Sequence, residues 1–345
     1  MSMIHQTPTS GIYVGVDTHA RTHHAAVIDQ HGRELGDRQF TADQRGYESL
    51  MAWAESFGPV QITAVEGTHS YGAGLTRVLL AAKWQVRETA PGDKVDRRRR
   101  GKSDAADAFT AARAALSGRA SALPKTGDGT AEMIRILRTN RSLLVRQQTQ
   151  LMNQIKALLI TGPDTLRTTY AKLTRLQLAR RLAATPATTD PTTSVLLDVL
   201  CDNAQRWLDL RDRAKTLERQ IHQLVRQHRP ELLTRPGVGP DTAARLIASV
   251  SDHPDRIGNE AQMAHLFGLA PIQASSGNTH RHRLDRGGDR SANTAIHRIA
   301  LTRARTDPTT RDYLARCQAR GKTHREAIRL LKRHLVRELY PLLTT

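Results

Sequence analysis

Leu137, Leu144, Leu151 and Leu158 recur every seven residues, and the period returns further along the chain. There Trp207, Ala214 and Ile221 form one column, and Leu210, Leu217 and Leu224 form a second, three residues behind it. An apolar a/d seam sustained over roughly three heptads is a helical pattern that no strand can use. It commits about 131–160 and about 194–228 to two long helices, which either fold on each other as an antiparallel hairpin or meet a second subunit. The chain is thereby divided into an N-terminal domain over 8–125, a coiled-coil connector over 126–230 and a C-terminal domain over 231–345. Residues 161–193, with Pro163, Pro186, Pro191 and many threonines, read as a partly helical insertion carrying a loop.

Before the first long helix the period changes. GIYVGVD (11–17) and HHAAVID (23–29) read as strands, Gln39 and Phe40 close a third, and QITAVEG (61–67) and WQVRETA (84–90) add two more. Helical spacing appears at 43–57, at 70–83 and in the alanine-rich DAADAFTAARAAL that begins at Asp104. A meander followed by alternating strands and helices predicts an α/β layer. After the second long helix, RPGVGPDTAARLIASV (235–250) has the form of a helix-hairpin-helix turn, with Gly237 and Gly239 in the tight loop before a helix N-terminus that offers amides to a phosphate. Residues 268–290 read as a loop, and basic helices at about 291–304 and 322–340 end the reading.

The formal net charge of +19 over 345 residues favours a polyanionic partner, DNA or RNA. No apolar run approaches the ~18 residues of a membrane span, and MSMIHQTPTSG is not a signal peptide, so the expectation is a cytoplasmic protein with no membrane partner. Cys201 and Cys317 are the only cysteines, which excludes a disulfide framework and a cysteine zinc site. His280 and His282 have no partner pair at zinc spacing and read as phosphate contacts or solvated residues.

Four acids carry the chemistry. Asp17 and Glu66 each end an apolar strand, and Asp104 and Asp107 share one face of a helix. Together they can build an all-oxygen cage suited to Mg²⁺, which activates an attacking oxygen and stabilises a leaving one at a phosphodiester. Each acid alone has a plainer reading: Asp104 as first-turn charge, Asp17 as turn chemistry. Their joint order, with His19 and His69 at matched offsets in DTH and EGTH, favours the cage. Arg97, Arg98, Arg99, Arg100 and Lys102 precede the helical pair, and Arg281, Arg283, Arg286 and Arg290 cluster further on; both groups are expected to grip a nucleic-acid backbone.

VGVDTHARTHHAAVID, AVEGTHSYGAGL, RRGKSDAADAFTAARAA, RPGVGPDTAARLIASV and FGLAPIQASSGNTHRHRLDRGGDRSANTAIHRI occur in that order. From about 11 to 340 the chain closely resembles the DEDD transposases of bacterial insertion sequences, the family numbered one hundred and ten. The resemblance implies a RuvC-like N-terminal domain of RNase H-type fold whose four acids match Asp17, Glu66, Asp104 and Asp107. It implies a nucleophilic serine in a GLxP…SG motif, matched by Ser276 with Ser275 beside it. It further implies guidance by a bridge RNA, recombination of donor and target DNA through a phosphoserine and a Holliday-junction stage, and homodimers that pair into a homotetramer. The stretch 161–193 departs from compact members by its length. Two other classes stay open on the residues alone: a metal-dependent junction resolvase or nuclease that uses the acids without the serine, and a nucleic-acid-binding protein without catalysis.

Overall fold

A computed structural model describes residues 11–89, 103–125, 127–186, 190–250, 256–277, 282–285 and 287–344. The chain divides into two compact units, Met1–Gly127 with Ser251–Gly258, and Asp128–Val250 with Asn259–Thr345.

The first unit is built on a mixed five-stranded sheet of order β3-β2-β1-β4-β5. Strands β1 (Ile12–Thr18), β2 (Thr22–Ile28) and β3 (Glu34–Thr41) form an antiparallel meander, and β4 (Val60–Glu66) and β5 (Val86–Thr89) add in parallel beyond β1. Period-2 alternation sends Ile12, Val14 and Val16 to one face, where they meet Val27, Phe40, Val65, Leu50 and Ala54 of α1 (Gln44–Glu55), and Leu75 and Leu79 of α2 (Ala73–Ala81). The opposite face carries Ala26, Ile28 and Ala64 and is covered by α3 (Asp104–Leu116) through Ala108, Phe109, Ala111, Ala112 and Ala115. Alanine and glycine decide how low that helix sits. A Cβ on Gly15 would lie 2.1 Å from the Ala108 carbonyl oxygen and 2.2 Å from the Ala112 nitrogen, so helix and strand touch backbone to backbone. The unit is α/β and consistent with the RNase H-type architecture that the resemblance implies. Strand β3 begins five residues before the expected Gln39, because as an edge strand it keeps only Phe40 buried and lacks the apolar run that would have marked it.

The second unit is mostly helical. Helices α4 (Gly129–Thr161) and α7 (Pro191–His228) run antiparallel. Arg141 pairs with Glu218 at 3.2 Å, Gln148 donates to the Leu210 carbonyl at 3.2 Å, and Met152, Ile155 and Leu159 share a core with Leu200, Ala204 and Trp207. The seam therefore closes within one chain. Residues 164–183 fold back on its far end as α5 (Asp164–Tyr170) and α6 (Arg175–Ala183), the latter opened by a Thr174–Gln177 capping box, with Tyr170, Leu178 and Leu182 completing the same core.

A short α8 (Pro230–Leu233) leads to α9 (Pro240–Val250), which packs on α4, α7 and α11 (Arg290–Thr306). Next come α10 (Glu260–Leu266) and a small antiparallel ribbon, β6 (Pro271–Gln273) with β7 (His282–Leu284). The stretch 268–290, expected to be a loop, thus holds two three-residue strands too short to register in the sequence pattern. Both expected basic helices are present, as α11 and α13 (His324–Thr344), and a third, α12 (Pro308–Ala319), fills the stretch between them. The break before α12 falls at Asp307, whose carboxylate accepts from the Thr310 N–H at 2.9 Å and caps α12 ahead of Pro308.

Candidate active site

Asp17 is the sixth residue of β1 and is 7% exposed. The parallel register pairs Val16 with Val65, which sets Asp17 beside Glu66 at the end of β4, and the Thr18 hydroxyl donates to the Glu66 carbonyl at 2.8 Å to tie the two strand ends together. By alternation both acids continue the rows that α3 covers, Gly15 in one strand and Ala64 in the other. The start of α3 is fixed by Ser103, whose hydroxyl accepts from the Ala106 N–H at 3.2 Å, and this places Asp104 and Asp107 in its first turn.

Two of the four acids, Asp17 and Asp104, come together around an imidazole. His19 Nε2 lies 3.1 Å from Asp17 Oδ2 and 3.3 Å from Asp104 Oδ1. One donor atom from each of these residues falls within 4.8 Å of the others, the spacing of a cation's ligands. Burial pushes the Asp17 carboxyl above the usual range, with the negative charges of Asp104 and Asp107 adding to the effect and His19 opposing it. A buried carboxylate crowded by two like charges gains most from a cation, and two carboxylates with one imidazole are a donor set for a divalent ion. The residues present therefore fit a divalent ion held by Asp17, His19 and Asp104, with the charge of Asp107 beside them. His19 is the member that a search for four carboxylates overlooks; its signal in the sequence is the DTH spacing. His69 of EGTH instead lies 3.7 Å from Glu88 and 2.7 Å from the Thr68 hydroxyl.

The other expected site residues fall in the second unit. Ser276 is exposed just beyond β6, followed by Gly277 at φ +54°. Arg283 lies in β7 opposite Ile272, and Arg290 opens α11, both exposed. Gly237 holds φ +74°, and a Cβ there would lie 3.1 Å from the Ile299 carbonyl and 3.2 Å from Arg303 Cγ, so the turn needs glycine. The Gly239 N–H donates to the Thr242 hydroxyl at 3.0 Å. Both glycines line a cavity of about 500 Å³ with His222, Asp241, Arg298 and Arg305. Burial would raise the Asp241 carboxyl, but the guanidinium groups of Arg245, Arg138 and Arg141 outweigh it and hold the acid below its usual range. Arg97, Arg98, Arg99, Arg100, Lys102, Arg281 and Arg286 lie outside the described residues.

Residues 14–161 match the DEDD transposase profile of the IS110 elements, and residues 229–315 match the transposase profile of the IS116/IS110/IS902 family. The two matches together span well over half the chain, which belongs to the IS110 family of insertion-sequence transposases. It is similar along nearly its whole length to the uncharacterized 43.6 kDa protein of insertion element IS110 from Streptomyces coelicolor, at 27% identity over 98% of this chain and 95% of that one. The uncharacterized 42 kDa protein of IS900 from Mycobacterium paratuberculosis is 26% identical over 96% and 95%. The protein is thus a transposase, an enzyme that recombines DNA. Among the described residues no helix is long and apolar enough to cross a membrane.

Proposed function

We propose that this transposase moves its own element by a serine-linked strand exchange directed by a bridge RNA, in the cytoplasm of a bacterium. Ser276 Oγ attacks a DNA phosphorus; the new Oγ–P bond replaces the bond to a sugar oxygen, and the hydroxyl's proton passes to that leaving oxygen. The reverse attack by the sugar hydroxyl of another strand reseals DNA and restores serine, so no bond energy is lost and no nucleotide is consumed. A serine hydroxyl is a weak nucleophile without help. Asp17, Glu66, Asp104 and Asp107 would hold Mg²⁺, which supplies Lewis-acid stabilisation of charge at the phosphodiester. His19, whose Nε2 lies between the Asp17 and Asp104 carboxylates, would join them in holding the ion. Gly237, Gly239, Arg283 and Arg290, with Arg97–Arg100, Lys102, Arg281 and Arg286, contact phosphates of donor DNA, target DNA or RNA. Homodimers pairing into a homotetramer would bring the two DNAs together.

The observation that carries this reading is the convergence of Asp17, His19 and Asp104 at the N-terminus of a helix seated on the sheet by Gly15. The test is a covalent-adduct assay. The protein is made in cells with its native flanking non-coding sequence, then given DNA carrying the element's junction and a candidate target. A denaturant-resistant protein–DNA species is expected, lost in both Ser276→Ala and Asp104→Ala. Cleavage without an adduct, indifferent to Ser276→Ala, would replace this reading with metal-only hydrolysis.

A further inference from the structure

The segment that carries Ser276 leaves and re-enters the helical body at one point. Gly268, at φ +63°, and Gly288 meet there: a Cβ on Gly288 would lie 2.0 Å from the Gly268 nitrogen. The Asp289 N–H donates to the Leu266 carbonyl at 2.7 Å, and the Leu269 and Ala270 N–H groups both reach the Ala264 carbonyl, at 2.7 and 3.1 Å. Behind this root stands a two-residue relay. Asn293 of α11 donates from Nδ2 to the Phe267 carbonyl at 2.9 Å and the Gly268 carbonyl at 3.2 Å. Its Oδ1 accepts from Lys332 Nζ of α13 at 2.7 Å. Carbonyls only accept and an ammonium only donates, so the amide can face only one way.

Lys332 is 9% exposed. Burying an ammonium costs stability, and a methionine would fill similar space without that cost. Stability alone therefore does not account for the lysine. Its one described hydrogen bond locks the amide, and the amide holds the two carbonyls from which the serine segment departs.

We propose that Lys332 and Asn293 are positioning residues, which act through the Phe267–Gly268 carbonyls to fix the direction in which the Ser276 hairpin projects. The purpose assigned to them rests on the reading of Ser276 as nucleophile. Full-length wild type, Asn293→Ala, Lys332→Met and the double variant are compared by amide hydrogen exchange over 267–285, by thermal melting and by the covalent-adduct assay. In each single variant, loss of the relay is expected to speed exchange in this segment about tenfold; melting stays level or rises in Lys332→Met, which removes the buried charge, and falls in Asn293→Ala, which leaves the ammonium without its acceptor. Adduct formation is expected to fall at least about tenfold through misplacement of the hydroxyl. The double variant should be no worse than either single, because the two residues act in series. Asn293→Asp keeps the volume but turns an acceptor toward two carbonyls, and should repeat the loss. Unchanged exchange in the segment, or additive losses that follow a falling melting temperature, would overturn the proposal and leave an ordinary structural brace. Absence of a Ser276 adduct in wild type would remove the nucleophile reading and the purpose with it, and the exchange data would still decide whether the relay holds the hairpin.

Discussion

Gly15→Ala is a one-carbon change at a position where helix and strand leave no room. The added Cβ would lie 2.1 Å from the Ala108 carbonyl oxygen and 2.2 Å from the Ala112 nitrogen. Both are backbone atoms of one helix, so no side chain can turn aside to relieve the clash. Restoring an ordinary carbon–oxygen separation requires α3 to lift by roughly 1 Å. Overpacking of this kind costs about 1–3 kcal/mol, or roughly 4–10 °C of melting temperature for a unit of this size. The same lift carries Asp104 and Asp107 away from Asp17, and a 1 Å misplacement of a reacting constellation lowers rate about 100-fold. The expected outcome is a folded protein with a lower urea midpoint, near-complete loss of DNA strand exchange and retained DNA binding. Retention of wild-type stability and strand exchange within about twofold would refute the claim that Gly15 sets the height of the acidic helix.

Added Mn²⁺ should raise the melting temperature of the wild type, about 2.7 kcal/mol of stabilisation being available at 100 times the dissociation constant, and should leave Asp17→Asn/Asp104→Asn unmoved. Lys332 should make stability rise with alkaline pH. Burial, with Arg329 nearby, lowers it from 10.5 to about 8 in the fold. Between those values the unfolded chain binds the extra proton, so stability increases as pH rises from about 8 to about 10.5, by up to about 3 kcal/mol. Urea titrations at pH 7.5, 9 and 10 should show this slope in wild type and not in Lys332→Met. Arg303→Met should destabilise the second unit by about 2–4 kcal/mol in the same measurement, because it strips Glu338 of a two-pronged partner and the Pro236 carbonyl of its donor.

The acids were legible because each ends or begins an element whose period is strong. Asp17 and Glu66 close apolar runs, and Asp104 follows a good N-cap at the head of an alanine-rich helix. The long helices were legible through their heptads, although Leu144 alone of the first leucine column is buried. What escaped reading depends on neighbours distant in the chain. Strand β3 earns its place by pairing with β2 rather than by apolar content, and β6 and β7 exist only through each other. Asn293 and Lys332 lie 39 residues apart and look like ordinary polar residues of two basic helices until the fold sets them 2.7 Å apart.

The seam between α4 and α7 contains polar residues of α4 that meet defined partners across it. Arg141 meets Glu218, and Gln148 meets the Leu210 carbonyl. A slip of one heptad would face Arg141 with Arg211 or with Val225, a like charge or an apolar wall. Leucines alone would tolerate such a slip; this pairing disfavours it. At 1.5 Å per residue the 33-residue α4 is about 50 Å long. Near its other end, Arg138 touches Ser291 at the start of α11. One continuous helix thus joins the tip of the hairpin to the base of α11, and the Arg141–Glu218 and Gln148–Leu210 contacts mark its register against α7.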